Sequence, residues 1–189
     1  MSSSSALTVF ATHGYVTDSM EAEFAVPEIG FGICVVIHDA QVQATAIAHV
    51  LMPDSNSNPT FARLNPYAYS DTAVPNLIQS LHRISSHYTD AEAWKEALKR
   101  FKVYLVGGSE ITPAHLNSGD ATHFELNLGR LVAAKLRDSL KAMGLQDALE
   151  ALGGSGMRTI SIRNSTGKIV IQEAGQPEKT LLATPTSTN

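Results

Sequence analysis

Two kinds of apolar spacing alternate along the chain. Residues 33–38 (Ile-Cys-Val-Val-Ile-His) and 43–52 are nearly unbroken runs of β-branched and small apolar residues. Runs this short predict buried strands rather than helices. The polar residues 39–42 between them predict a tight connection, so the pair reads as a β-hairpin. Residues 56–65 combine proline with several Asn and Ser, the composition of an exposed loop that borders a site. From Asp71 the period changes. Leu77, Ile78 and Leu81 recur at helical spacing, predicting a helix over residues 71–86 with Asp71 as its cap and Pro75 tolerated near the first turn.

Thr89 followed by Glu92 has the form of a capping box for a short helix through Leu98. Residues 101–106 predict a strand that Gly107 and Gly108 interrupt, followed by an irregular connection as far as Thr122. The clearest helical stripe is Leu128, Leu131, Val132, Leu136 and Leu140. It predicts a helix over residues 125–143, with Gly144 placed to end it in a left-handed conformation. Gly153, Gly154 and Gly156 predict a bend, after which residues 158–163 and 169–172 alternate as a second hairpin around residues 164–167. No internal repeat is present. Residues 1–5 and 173–189 are rich in Ser, Thr, Pro and Gly, which predicts a disordered start and a flexible tail around one domain over residues 6–172. Antiparallel hairpins with helices between them point to an α+β fold, a layered α/β sandwich with a mostly antiparallel sheet.

Composition narrows the function classes. The 189 residues are 43% hydrophobic and 17% charged, in the range of a single globular domain. Fourteen basic residues against 18 acidic ones give a formal charge of -4. With no cluster of Lys and Arg, nucleic acid is not an expected partner. The longest apolar runs, such as residues 44–52, fall short of the ~20 residues that cross a bilayer. The Ser-rich start has no basic segment leading into an apolar one, so the expectation is a cytoplasmic protein with no membrane insertion. A single cysteine excludes an internal disulfide and a multi-thiolate metal site, and neither a metal nor an organic cofactor is expected. Cys34 is therefore either an inert core thiol or a reactive one.

Seven histidines are available to serve that thiol. His38 lies four residues along the same strand, roughly 13 Å away at about 3.3 Å per residue, outside hydrogen-bond reach. His49 is better placed. If the hairpin pairs Cys34 with His49, Val36 faces Ile47 and His38 faces Thr45, and both functional side chains stand on one face. Directly opposed β-carbons lie about 4.5–5.5 Å apart, so thiol and imidazole can meet. An imidazole in that position can take the thiol proton. Gly30 and Gly32 would allow close approach to the backbone, where amide hydrogens can hold an oxyanion. Spacing alone favours the alternative, a buried thiol beside a satisfied core histidine.

Several ordered segments resemble one known family, the chemoreceptor glutamine deamidases called CheD. Gly30-Phe31-Gly32-Ile33-Cys34 resembles the family's Gly-Leu-Gly-Ser-Cys segment, and residues 48–55 (Ala-His-Val-Leu-Met-Pro-Asp-Ser) its Ala-His-hydrophobic-Leu-Pro-Asp-Ser segment. Residues 69–73 (Tyr-Ser-Asp-Thr-Ala), 106–109 (Val-Gly-Gly-Ser), 127–130 (Asn-Leu-Gly-Arg) and the Gly153-Gly154 bend follow in the family's order. The resemblance covers about residues 10–172. It implies an α/β sandwich similar to that of the cytotoxic necrotizing factor deamidases. It also implies hydrolysis of receptor glutamine to glutamate, with Cys34 as nucleophile and His49 as base, Gly30, Gly32 and Ile33 on the substrate or oxyanion side, and no cofactor. Methyl-accepting chemoreceptors are the implied partners, with a CheC-type phosphatase as a further one. Two positions depart from the pattern. Glu28 stands where the family has the threonine that completes its triad and becomes the third-position candidate, and Ile33 replaces a serine. These departures motivate the alternative of a weakened or inactive adaptor that binds receptors or the phosphatase. A cysteine hydrolase acting on another amide or ester is a third reading.

Overall fold

The computed structural model describes residues 6–84, 86–110, 123–145 and 147–181. The expectations for residues 1–5, for the connection over 111–122 and for the tail beyond 181 lie outside the described residues. Among the described residues, ten strands form two five-stranded sheets. One orders β1 (Leu7–Thr8), β3 (Glu23–Ile29), β8 (Arg158–Arg163), β9 (Lys168–Glu173) and β10 (Lys179–Leu181). The other orders β2 (Gly14–Thr17), β5 (Ala44–Val50), β4 (Ile33–Asp39), β6 (Lys102–Gly107) and β7 (Ala148–Leu152). Among the described strand pairs, only β1 with β3 and β6 with β7 are parallel. The expected α+β layered sandwich with mostly antiparallel pairing is the observed architecture.

The unbroken apolar runs now have a physical reason. Every residue of β4 and β5 is buried, because their sheet is covered on both faces. One face, through Ile33, Val35, Ile37, Ala46 and Ala48, packs on α2 (Ser70–Ile84) and α4 (His123–Ala142) through Leu77, Leu81, Leu136 and Leu140. The other face, through Cys34, Val36, Ile47, Tyr104 and Val106, meets Phe24, Val26, Ile160 and Ile162 of the second sheet. Strand β8 has only one buried face and alternates residue by residue, as a half-covered strand must.

Several local readings are corrected. Residues 56–65 are not an irregular loop: a 3-10 turn at Ser55–Ser57 leads into α1 (Pro59–Leu64). Asn58 caps α1 by accepting from the Phe61 amide, and Pro59 takes the first turn, where a missing N–H costs nothing. The cap of α3 (Ala91–Arg100) is Asp90, which accepts from the Glu92 and Ala93 amides, so Thr89 is one residue short of the role. Asp71 does not cap α2 but accepts from the Ser55 amide and hydroxyl. Leu131 is exposed and stands outside the α4 stripe. The end of α4 follows expectation. Gly144 has φ +79 and the Leu145 amide donates to the Leu140 carbonyl at 2.8 Å, a left-handed helix end. Strands β1, β2, β3 and β7 come from weak local patterns that pair only in the fold. Strand β10 extends the sheet into the segment expected as tail.

Strand β4 ends at Asp39, which is fully buried and held by Arg100 and the Tyr88 hydroxyl at 2.9 Å. This ion pair ties the α3 arm to the sheet, with Trp94 and Phe101 stacked edge-on beside Tyr88.

Candidate functional site

The predicted register holds at every position: Cys34 pairs with His49, Val36 with Ile47 and His38 with Thr45. Because side chains alternate along a strand, Cys34 and His49 share the face that looks toward the second sheet. Cys34 is at the same time opposite Val106 of β6, so the thiol sits on the central strand with a partner strand on each side. Its neighbour His49 is held through its backbone. The Thr12 amide donates to the His49 carbonyl at 2.8 Å and the His49 amide to the His13 carbonyl at 3.1 Å. The turn over residues 10–13, with Thr12 at φ 67, thereby buttresses the histidine.

Burial sets the protonation of the pair. Cys34 is 0% exposed and desolvation pushes its thiol far above the ordinary range. His49 is 5% exposed, and desolvation pulls its imidazole down to about 4. Near neutral pH the native pair is therefore a protonated thiol beside a neutral imidazole. Among the described residues, both ring nitrogens of His49 lack a hydrogen-bond partner. A buried imidazole without partners costs about 1–3 kcal/mol, and it leaves one basic nitrogen free to accept a proton. Gly32 makes room for this ring. A β-carbon there would lie 2.8 Å from His49 Nε2 and 2.6 Å from Leu51 Cδ2, so the glycine answers to the histidine rather than to backbone conformation.

The remaining candidates separate. The Gly30 and Gly32 carbonyls accept from the Ser109 and Gly108 amides at 3.0 and 2.9 Å, which pins the segment before Cys34 against the turn over residues 107–109. Ile33 is buried on the opposite sheet face, in the helix-side core, so its side chain does not reach the thiol's side. Glu28 is an exposed residue at φ 53 beside the irregularity between Val26 and Ile29 of β3. It makes no hydrogen bond or ion pair among the described residues, and the structure does not bring it to His49. His38 stays apart, bonded through Nδ1 to the Thr45 hydroxyl at 2.8 Å.

Sequence reasoning missed Arg158. It is the first residue of β8 and occupies a buried position in the alternation that otherwise holds Ile160 and Ile162. An arginine on the inward phase of an otherwise apolar strand is the signal that was available.

Comparisons with known proteins bear on the family. Residues 51–173 match the model of the family described as CheD chemotactic sensory transduction; the matched span begins just past His49. The chemoreceptor glutamine deamidase CheD of Bacillus subtilis is 31% identical over 154 residues, 80% of this chain and 83% of that protein. The protein of the same name from Thermotoga maritima is 26% identical over 156 residues, with 80% and 83% covered. A probable chemoreceptor glutamine deamidase CheD of Desulforamulus reducens is 26% identical over 155 residues, 81% and 83% covered. Among the described residues no helix is long and apolar enough to cross a membrane.

Proposed function

The chain belongs to the CheD chemotactic sensory transduction family, and on that premise we propose that it is a cysteine-dependent deamidase converting glutamine side chains of methyl-accepting chemoreceptors to glutamate. Cys34 is the nucleophile and His49 the base. The observation that supports the reading is the cross-strand pairing of Cys34 with His49, whose two ring nitrogens have no hydrogen-bond partner among the described residues.

In the proposed reaction His49 takes the Cys34 proton as Sγ attacks the carboxamide carbon of glutamine. The tetrahedral intermediate collapses when His49 returns that proton to the departing nitrogen, releasing ammonia and leaving a thioester on Cys34. Water, deprotonated by the same imidazole, then adds to the thioester carbon. The thiol leaves with a proton and glutamate is the product. Glu28 is left out of the dyad because it is exposed and makes no hydrogen bond or ion pair among the described residues.

The full burial of Cys34 has a mechanistic consequence. A receptor glutamine reaches Sγ only when the site opens locally, and opening also lets water and substrate dipoles stabilise the thiolate–imidazolium pair that burial disfavours. Purified receptor incubated with the protein should gain about one dalton per converted glutamine, with no gain from Cys34→Ala or His49→Ala. Equal receptor masses with wild type and Cys34→Ala after long incubation would sink the reading.

A further inference from the structure

Arg158 is nine-tenths buried, yet it lies on β8 of the second sheet, not in the sheet that carries Cys34. Its guanidinium reaches across the sandwich. Nη1 donates to the Ala151 carbonyl at 2.8 Å and the Gly107 carbonyl at 3.3 Å, and Nη2 to the Gly153 carbonyl at 2.7 Å. Nε donates to the Glu173 carboxylate at 3.0 Å. Those carbonyls belong to the ends of β6 and β7 and the loop after β7. The charge is neutralised and the fork geometry of arginine is used on three backbone groups at once, which a lysine cannot reproduce.

The chain leaves room for this group. A β-carbon at Gly154 would lie 2.9 Å from Nη2, and one at Gly156 would lie 2.4 Å from Glu173 Oε1. The glycine-rich bend of residues 153–156 is therefore shaped around the Arg158–Glu173 pair. The bend is also stitched to the turn over residues 107–109: the Gly153 amide donates to Gly107, the Glu110 amide to Gly154, and the Ser109 hydroxyl to the Gly156 carbonyl at 2.6 Å. Gly107 and Gly108 have φ +125 and +65, backbone that glycine adopts without strain, so the hydrogen bonds around the turn select its shape. From that turn the Gly108 and Ser109 amides donate to the Gly32 and Gly30 carbonyls, two and four residues before Cys34.

We propose that Arg158 is a positioning residue for the nucleophile segment, setting the turn over residues 107–109 and, through it, the backbone of residues 30–34 where the oxyanion forms. The proposal rests on Cys34 being the nucleophile. Displacements of about 1 Å in such a segment cost on the order of 10²-fold in rate. Arg158→Lys keeps the charge but not the fork, and Arg158→Ala opens a site that guanidinium ion fits.

The test combines receptor deamidation kinetics with amide hydrogen exchange. In Arg158→Lys the Gly108 and Ser109 amides should exchange faster while those of β4 and β5 keep their protection. The value of kcat should fall by about 10²-fold with little change in KM. Millimolar guanidinium should restore part of the activity of Arg158→Ala without affecting wild type. Unchanged exchange at Gly108 and Ser109, or faster exchange with kcat retained, overturns the proposal, as does a loss of activity that only tracks thermal unfolding. The exchange measurement needs no turnover. An inactive wild-type protein would therefore overturn the deamidase reading, while exchange in Arg158→Lys still decides whether Arg158 sets the turn.

Discussion

Acidification should destabilise this protein through one buried imidazole. His49 has an unfolded value of 6.5 and a folded value of about 4, the shift caused by desolvation alone. Between those values the unfolded chain binds a proton that the native state refuses, so the contribution is fully present above the unfolded value and is lost as pH falls. Integrating the difference gives a loss of about 2 kcal/mol between about pH 7.5 and about pH 5, approaching about 3 kcal/mol near pH 4. That is a large share of a typical stability of about 5–15 kcal/mol. The assay is urea unfolding across this range at constant ionic strength, on wild type and His49→Gln. Burial also lowers His38, so the wild-type curve alone mixes two histidines; subtracting the His49→Gln curve leaves the His49 contribution. A difference curve that stays flat from neutral to acid pH would refute the reasoning. So would a wild type that gains stability on acidification relative to the variant. The same displacement keeps His49 deprotonated, and able to take a proton, through the neutral range.

Cys34 should act at the other end of the scale: burial holds its folded thiol far above its ordinary value of 9.0, so stability falls as pH rises past about 9, and Cys34→Ala should flatten that alkaline limb in the same urea titration. Native Cys34 should also react slowly with iodoacetamide near neutral pH and rapidly once urea exposes it; equal rates would contradict the observed burial. Arg100→Met leaves the fully buried Asp39 carboxylate without its cation and should cost about 3–5 kcal/mol. Arg163→Ala, which removes the exposed pair with Glu23, should cost under about 1 kcal/mol in the same unfolding assay. Gly107→Ala combines φ +125 with a β-carbon 2.4 Å from the Gly32 carbonyl oxygen, and should cost at least about 1–3 kcal/mol by thermal unfolding.

Local physics made part of this molecule legible in its order of residues. Continuous β-branched runs flanking a short polar turn force a buried hairpin, and the two-residue period of strands then puts Cys34 across from His49 once the hairpin closes. The α4 stripe and Gly144 are likewise local, since they depend on helical spacing and one left-handed residue. The 3-10 turn, α1, and the role of Asp90 over Thr89 were obscured because neighbouring polar residues compete for one cap and only the formed helix selects among them. Strands β1, β2, β3 and β7 were invisible for a different reason. Their pairing energy comes from partners far away in sequence, and their own residues show no strong alternation.

What sequence alone determined was therefore the hairpin register, the layered α+β class and the resemblance that singles out Cys34 and His49. Tertiary structure decided which side of the sheet that pair occupies, how completely it is sealed, and which remote groups brace it. It turned Ile33 into the helix-side core, left Glu28 in solvent, and brought Arg158 across from the second sheet to the carbonyl of Gly107. The reason is that register is a short-range property of alternating side chains, whereas burial, protonation and bracing depend on which layers close over a strand.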